Sequence, residues 1–119
     1  MSTPAHRARL VLALRSAGIT DTKALSAIES VPREMFVPDA FQDRAYEDTA
    51  LPIGYGQTLS QPLVVATMIQ GLELGGREKL LEVGTGSGYH AAILSHLCRR
   101  VYTIERHRPL LDEARARFE

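Results

Sequence analysis

The seven residues Glu82–Gly88 (EVGTGSG) constrain this chain more than any other feature of its sequence. They end a short apolar run, Lys79–Val83, that reads as a β-strand, and they precede a segment with the apolar period of a helix. Glycine is needed where φ is positive or where a ligand approaches the backbone closely. With the β-branched run Arg100–Ile104 as a second strand, the pattern predicts a βαβ unit whose strands are parallel.

Two carboxylates flank the predicted ligand position at the carboxyl ends of these strands. Glu105 follows the second strand, 21 residues after Gly84, where a carboxylate can accept the hydroxyls of a ribose. Glu82 suits a ligand end that carries cationic groups. S-adenosylmethionine has an ammonium, a sulfonium and a ribose, so the pattern favours it over a dinucleotide. A dinucleotide site prefers G-x-G-x-x-G, and Tyr89 occupies its third-glycine position. A glycine turn without a ligand is the third alternative.

Charge and cysteine content exclude several classes of protein. The 119 residues contain 14 Lys and Arg against 14 Asp and Glu, which argues against a partner bound by bulk charge, whether nucleic acid or membrane surface. A single cysteine, Cys98, excludes a disulfide framework, and the spacing of the four histidines predicts no metal site. No apolar run approaches the roughly 18–20 residues of a membrane span. The N-terminus lacks the sustained apolar core of a signal peptide, so we expect a cytoplasmic protein.

The chain divides near Gly75-Gly76 into a helical part, residues 1–75, and a β-α-β-α part, residues 76–119, within one structural domain. The segment between Val31 and Pro62 has no long apolar period, and long irregular segments are often functional. Apolar spacing predicts helices from about Pro4 to Ala17, from the N-cap Asp21 to before Pro32, from the N-cap Ser60 to Gly75, after Gly88, and near Pro109.

The same spacing predicts which side chains are buried. Phe36, Tyr46 and Cys98 read as core or half-buried positions, and Arg33 with Glu34 reads as a surface ion pair without chemistry. The apolar faces of the last three helices are predicted to be Val65, Met68, Ile69 and Leu72; then Tyr89, Ala92, Ile93, His96 and Leu97; then Leu110, Ala114 and Phe118.

Four motifs, in this order and spacing, resemble the protein-L-isoaspartate O-methyltransferase family. They are Val31–Pro38 (VPREMFVP), Leu51–Gly54 (LPIG) after Tyr46, Gly56–Pro62 (GQTLSQP) and Leu81–Tyr89 (LEVGTGSGY). The resemblance extends from about residue 5 to Glu119. The glycine turn alone would indicate any class I methyltransferase, and the GQTLSQP segment narrows the resemblance to this family.

The resemblance implies an α/β, Rossmann-like class I methyltransferase fold preceded by an N-terminal helical segment. It implies methyl transfer from S-adenosylmethionine to the carboxyl of isoaspartyl residues in damaged proteins, which is a repair reaction. Ser60 takes the place of the family's active-site serine, and we expect it to orient the substrate carboxylate without forming a covalent intermediate. The implied cofactor-binding residues are Gln57, Thr58, Leu59, Glu82, Gly84, Thr85, Gly86, Gly88, Glu105 and Arg106.

The family has a seven-stranded sheet, and only its first βαβα is visible in this sequence. We therefore expect a truncated or partial chain, in which the edge of Lys79–Val83 is exposed and invites self-association. A non-catalytic module that binds S-adenosylmethionine or a partner is an alternative, and a fragment of an NAD-dependent oxidoreductase is a further one.

Overall fold

A computed structural model describes residues 4–119 of the chain. Two 3₁₀ helices, Arg33–Phe36 and Asp39–Arg44, follow the second α-helix. No helix in residues 4–119 combines the length and the apolar character that crossing a membrane requires. The α-helices and strands in chain order are α1 Pro4–Ser16, α2 Thr22–Ser30, β1 Leu51–Gly54, β2 Gln57–Leu59, α3 Pro62–Leu72, β3 Lys79–Val83, α4 Tyr89–Leu94, β4 Arg100–Ile104 and α5 Arg108–Phe118.

Side-chain hydrogen bonds join the first three helices. The carboxylate of Asp21 caps α2 by accepting from the backbone N–H groups of Lys23 and Ala24 at 3.0 and 3.2 Å, as the sequence predicts. From α3, Gln70 Oε1 accepts from the backbone N–H groups of Thr20 and Asp21 at 2.8 and 2.9 Å. One apolar core includes side chains from both parts of the chain, and the division near Gly75-Gly76 stays a prediction.

The segment predicted to be irregular contains ordered structure. Besides the two 3₁₀ helices it contains an antiparallel hairpin of β1 and β2, which pairs Leu51 with Leu59 and Pro52 with Thr58. Tyr55 and Gly56 form its turn with φ values of +58° and +70°, as a two-residue turn with left-handed residues requires. The hairpin brings the GQTLS motif towards β3.

The start of α3 corrects one prediction. Gln61, not Ser60, occupies the N-cap position, and it makes no capping hydrogen bond through its own side chain. Asp48 caps the helix instead, because its carboxylate accepts from Leu63 N at 3.0 Å and from Gln61 Nε2 at 3.3 Å. Pro62, with no N–H to satisfy, begins the helix. The hydroxyl of Ser60 is therefore not used as a helix cap.

Strands β3 and β4 have the predicted bounds and are parallel, with Glu82 beside Thr103 in the register. Side chains alternate between the two faces of this sheet. Leu80 and Val101 pack against the core, and Glu82 and Thr103 lie on the same face. The exposed fractions of the apolar residues on the other face are 62% for Leu81, 78% for Val83, 48% for Tyr102 and 54% for Ile104.

Several predicted burials are wrong. On α3 the core face consists of Val65, Ala66 and Ile69, and it is rotated about the helix axis from the predicted stripe. The apolar period of α3 was therefore correct, but the side of the helix that meets α2 depends on tertiary packing. The remaining errors are Met68, Leu72, His96 and Phe118, which are exposed, and Arg33, which is fully buried rather than part of a surface ion pair.

The last helix packs directly on the glycine turn. A Cβ at Gly88 would lie 3.0 Å from Phe118 Cζ and 3.3 Å from Ala114 Cβ, and Gly88 also has a φ of +94°. Arg117 Nη1 donates to Ser87 O at 2.8 Å. Glycine at position 88 is thus required by its backbone conformation and by its contact with α5.

Candidate active site

The glycine turn is held at the carboxyl end of the sheet by backbone hydrogen bonds. Gly84 N and Thr85 N both donate to Ile104 O, at 2.8 and 3.1 Å. Gly84 and Gly86 have φ values of +97° and +55°. A Cβ at Gly84 would have no heavy atom within 4 Å, so the space in front of this glycine is open. A ligand can therefore approach the backbone of the turn closely.

A small cavity of about 90 Å³ lies between the end of the hairpin and the glycine turn. It brings together the GQTLS motif and the first carboxylate, which are more than twenty residues apart in the sequence. Seven of the predicted site residues line it: Thr58, Leu59, Ser60, Glu82, Gly84, Thr85 and Gly86.

A second cavity of about 490 Å³ also lies next to Gly84. The predicted residues Gln57, Glu105 and Arg106 line it together with Gly84. Because Gly84 lines both cavities, an elongated ligand that crosses this residue would have Glu82 at one end and Glu105 at the other. Gly88 lines neither of the two cavities and is instead the N-cap of α4, which begins at Tyr89.

Glu105 supports the glycine turn and remains ionised. Its Oε1 accepts from Gly86 N at 2.9 Å and its Oε2 accepts from His107 N at 3.0 Å. The hydrogen bond from the His107 backbone, helped by the one from Gly86, lowers the pKa of the Glu105 carboxyl below its ordinary value. Each carboxylate oxygen has a further lone pair with which it can accept a ligand hydroxyl.

Glu82 has the opposite environment. Burial raises the pKa of its carboxyl above the ordinary value, and repulsion from Glu105 adds to the rise. A hydrogen bond from Thr103 opposes both effects: Thr103 Oγ1 donates to Glu82 Oε1 at 2.6 Å. Thr103 carries no motif in the sequence, although its place in β4, two residues before Glu105, puts it beside Glu82 once the strands are parallel.

The buried side chain of Arg33 binds the backbone carbonyl of Ser60. Arg33 Nη2 donates to Ser60 O at 3.0 Å, and Arg33 Nε donates to Ala45 O at 2.7 Å. The guanidinium carbon lies 4.9 Å from the ring centroid of Tyr89, the residue that follows the glycine turn. Burial raises the pKa of Tyr89 to about 12, so the phenol is neutral. Arg33 therefore joins the backbone of Ser60 to the start of α4.

His90 also lines the small cavity, and its Nε2 is buried without a hydrogen-bond partner in the described part of the chain. Burial lowers the pKa of its imidazole below the ordinary value, so the ring is neutral at neutral pH. No three metal-ligating side chains converge anywhere in residues 4–119.

A parallel βαβ unit with two acids around a glycine turn has the architecture of a Rossmann-like class I methyltransferase. The match to known families makes the assignment specific. Residues 5–119 match the sequence profile of the protein-L-isoaspartate(D-aspartate) O-methyltransferase (PCMT) family, and the chain belongs to that family.

Curated relatives agree with this assignment. The chain is 64% identical over 118 residues to a protein-L-isoaspartate O-methyltransferase of Rhodospirillum centenum, covering 99% of this chain and 53% of that protein. It is 61% identical over 118 residues to one of Rhodospirillum rubrum, covering 99% of this chain and 54% of that protein. The chain thus spans about half the length of the curated relatives it matches.

Solved structures have the same fold. A protein-L-isoaspartate O-methyltransferase structure, 28% identical, superposes with a TM-score of 0.82 over 93% of this chain and 37% of that chain. A PCMT structure from Plasmodium falciparum, solved in complex with S-adenosyl-L-homocysteine, has 23% identity and a TM-score of 0.77 over 95% of this chain and 54% of that chain. The second likeness is evidence for the fold alone.

Proposed function

We propose that this chain supplies the S-adenosylmethionine site and the active-site serine of a protein-L-isoaspartate O-methyltransferase. The reaction transfers a methyl group from S-adenosylmethionine to the carboxyl of isoaspartyl residues in damaged proteins. The observation that carries the proposal is the small cavity between the hairpin and the glycine turn. It joins Ser60, from the motif typical of the family, to Glu82 and the turn.

The two cavities fit the proposed cofactor. Glu105 in the larger cavity is ionised and can accept the ribose hydroxyls, and Arg106 lines the same cavity for the adenine end. Glu82 in the smaller cavity can accept from the ammonium of the methionine end. Gln57, Thr58 and Leu59 cover the ligand from the hairpin. The open space at Gly84 supports close contact between the ligand and the backbone of the turn.

S-adenosylmethionine supplies an electrophilic methyl group on a sulfonium, and an acceptor carboxylate is already a nucleophile, so no strong base is needed. The chain has to bind, align and exclude water. Ser60 orients the acceptor carboxylate by donating a hydrogen bond from Oγ, while its backbone is held by Arg33. Glu82, Glu105 and the glycine turn fix the other reactant. Alignment and desolvation of this kind are worth up to about 7–11 kcal/mol in the best cases.

Transfer of a radioactive methyl group from S-adenosylmethionine to a synthetic isoaspartyl peptide tests this function. We expect methyl ester with the isoaspartyl peptide and none with the matched aspartyl peptide. Ser60→Ala should lower the rate of transfer while calorimetry shows unchanged binding of S-adenosylhomocysteine. Equal labelling of both peptides, or no binding of S-adenosylhomocysteine, would contradict the proposal.

The alternative is a module that binds S-adenosylmethionine without transferring its methyl group. Such a module would need only the two cavities around Gly84 and no site for a methyl acceptor. Binding of S-adenosylhomocysteine without methyl transfer in the same assay would support it.

We further infer that the protein acts in the cytoplasm on isoaspartyl-containing proteins and binds neither nucleic acid nor membranes. The zero net charge supports the absence of these last two partners. We also propose self-association through the sheet of β3 and β4. The support is the free edge of β3 and the exposed apolar face beside it.

A further inference from the structure

Three oxygen atoms form a continuous chain of hydrogen bonds beneath the small cavity. Thr85 Oγ1 lies 2.6 Å from Thr103 Oγ1, and Thr103 Oγ1 lies 2.6 Å from Glu82 Oε1. Thr85 belongs to the glycine turn and is buried, Thr103 belongs to β4, and Glu82 belongs to β3. One short chain of contacts therefore joins all three parts of the predicted ligand site.

When Glu82 is ionised, counting protons fixes the direction of these hydrogen bonds. An ionised carboxylate only accepts, and each threonine hydroxyl has one proton to donate. The proton of Thr103 is directed at Glu82, so Thr103 must accept from Thr85. The direction is therefore from Thr85 to Thr103 to Glu82. A hydroxyl that itself accepts a hydrogen bond is polarised and becomes a better donor.

The chain of hydroxyls orients Glu82 and opposes the loss of its charge. Burial and repulsion from Glu105 both favour the neutral carboxylic acid, and the hydrogen bond from Thr103 favours the carboxylate. The bond from Thr103 reaches Oε1 only, and no donor within residues 4–119 contacts Oε2. Oε2 thus remains available to a ligand that enters the small cavity.

We propose that Thr103, with Thr85 behind it, is a positioning residue that holds Glu82 ionised and aims its free oxygen at the ammonium group of the bound ligand. This inference rests on the proposed function, because it assigns the amino-acid end of S-adenosylmethionine to Glu82. It adds a residue of β4 that does not touch the ligand and acts through another side chain.

Two ligands separate this role from a general role in folding. S-adenosylhomocysteine has the ammonium group, whereas 5′-methylthioadenosine has the same adenosine and thioether but lacks the amino-acid end. Thr103→Val keeps the shape of the side chain and removes its hydroxyl. We expect it to weaken S-adenosylhomocysteine about tenfold, the size typical of a lost hydrogen bond to a charged group. Binding of 5′-methylthioadenosine should stay unchanged.

Two more variants complete the test by isothermal titration calorimetry. Thr103→Ser restores a hydroxyl and should recover most of the lost affinity, while Thr85→Val should weaken S-adenosylhomocysteine by a smaller factor. If Thr103→Val does not fold, Thr85→Val replaces it in the test: it should weaken S-adenosylhomocysteine and leave the binding of 5′-methylthioadenosine unchanged.

The outcomes distinguish failure of this inference from failure of the proposed function. Equal affinity of the wild type and Thr103→Val for S-adenosylhomocysteine would overturn the positioning role alone. Equal weakening of both ligands would also overturn it, because a distorted sheet affects the whole site. A wild-type chain that binds neither ligand would overturn the proposed function and this inference with it.

Discussion

Arg33 is a fully buried cation whose side chain forms no ion pair in the described part of the chain. Burial lowers the pKa of its guanidinium from the ordinary value, and the phenol group of Tyr89 opposes this effect. Two backbone carbonyls and one aromatic face replace the water around the group. Its Nη1 has no hydrogen-bond partner within residues 4–119. The side chain is therefore costly to bury, and removing it leaves two buried carbonyls unpaired.

We expect Arg33→Met to lower the free energy of unfolding by about 3 kcal/mol, because buried acceptors lose their donors. Arg33→Lys should retain part of the stability, since an ammonium can still donate to one carbonyl. Urea unfolding measures both variants, with the exposed Arg77→Met as the control that should change little. A loss for Arg33→Met as small as that for Arg77→Met would contradict the assigned contacts.

Glu105 predicts a dependence of stability on pH. Its folded pKa lies below the ordinary value of 4.5, so the unfolded chain binds the proton more readily. The stabilisation is complete above pH 4.5 and is lost as the pH falls from there through the folded pKa. We expect Glu105→Gln to be less stable than the wild type at pH 7, with the difference shrinking below pH 4.5. Urea unfolding across this range measures the difference, and one that is constant with pH would refute the assignment.

At the scale of elements, the sequence predicted the long periodic helices and the βαβ unit, including the bounds of β3 and β4. It did not predict the hairpin, because β1 and β2 are only four and three residues long and Pro52 lies within the first. The first of the two left-handed residues at the turn is Tyr55, which gives no turn signal of the kind glycine gives. Short strands depend on tertiary contacts. Here β2 consists of Gln57–Leu59 and is itself part of the GQTLS motif beside the site.

The site residues could be predicted because they belong to sequence motifs. The residues that support them belong to no motif that indicates this role. Ser60, Glu82 and the glycines carry a pattern that can be recognised along the chain. Thr103 and Arg33 act through contacts with residues 21 and 27 positions away, which only the register and the packing create. A threonine in a strand and an arginine beside a glutamate have ordinary structural interpretations until the fold brings their partners together.

Substitution by alanine should have opposite effects on the stability of the chain at Gly88 and at Gly71. Gly88→Ala places a Cβ at a φ of +94°, 3.0 Å from Phe118, and should cost about 1–3 kcal/mol. Gly71→Ala lies in α3 with open space around the new Cβ and should stabilise the chain by about 0.5–1 kcal/mol. Thermal unfolding of the two variants tests the pair. A shift of the same sign for both would contradict the described backbone.

At the scale of the whole molecule, the core lies on one side of the sheet. Residues on one face of β3 and β4 pack against the helices, and the apolar residues of the other face are about half exposed or more. Parallel sheets are normally covered on both faces. Large apolar patches that stay exposed are typical of interaction surfaces or of aggregation.

Self-association through this face should therefore depend on Leu81. We expect sedimentation velocity to show association that increases with concentration in the wild type. Leu81→Lys should reduce it, because a charge replaces an apolar side chain that is 62% exposed. Met68→Lys, at a 55% exposed apolar position on α3, is the matched control and should associate like the wild type. A wild type that stays monomeric at high concentration would refute the proposal.

The contact between α5 and the glycine turn has a thermodynamic consequence. Ser87 and Gly88 touch α5 on one side, while Gly84 and Gly86 of the same turn face the two cavities. Packing of α5 and binding of a ligand in the cavities thus both act on the conformation of the same short segment, the glycine turn. Linkage makes any such coupling reciprocal, so the factor by which a docked helix tightens a ligand equals the factor by which that ligand tightens the helix. A coupling of this kind would let the eleven-residue helix α5 influence ligand binding, although the structure places none of its residues in the two cavities.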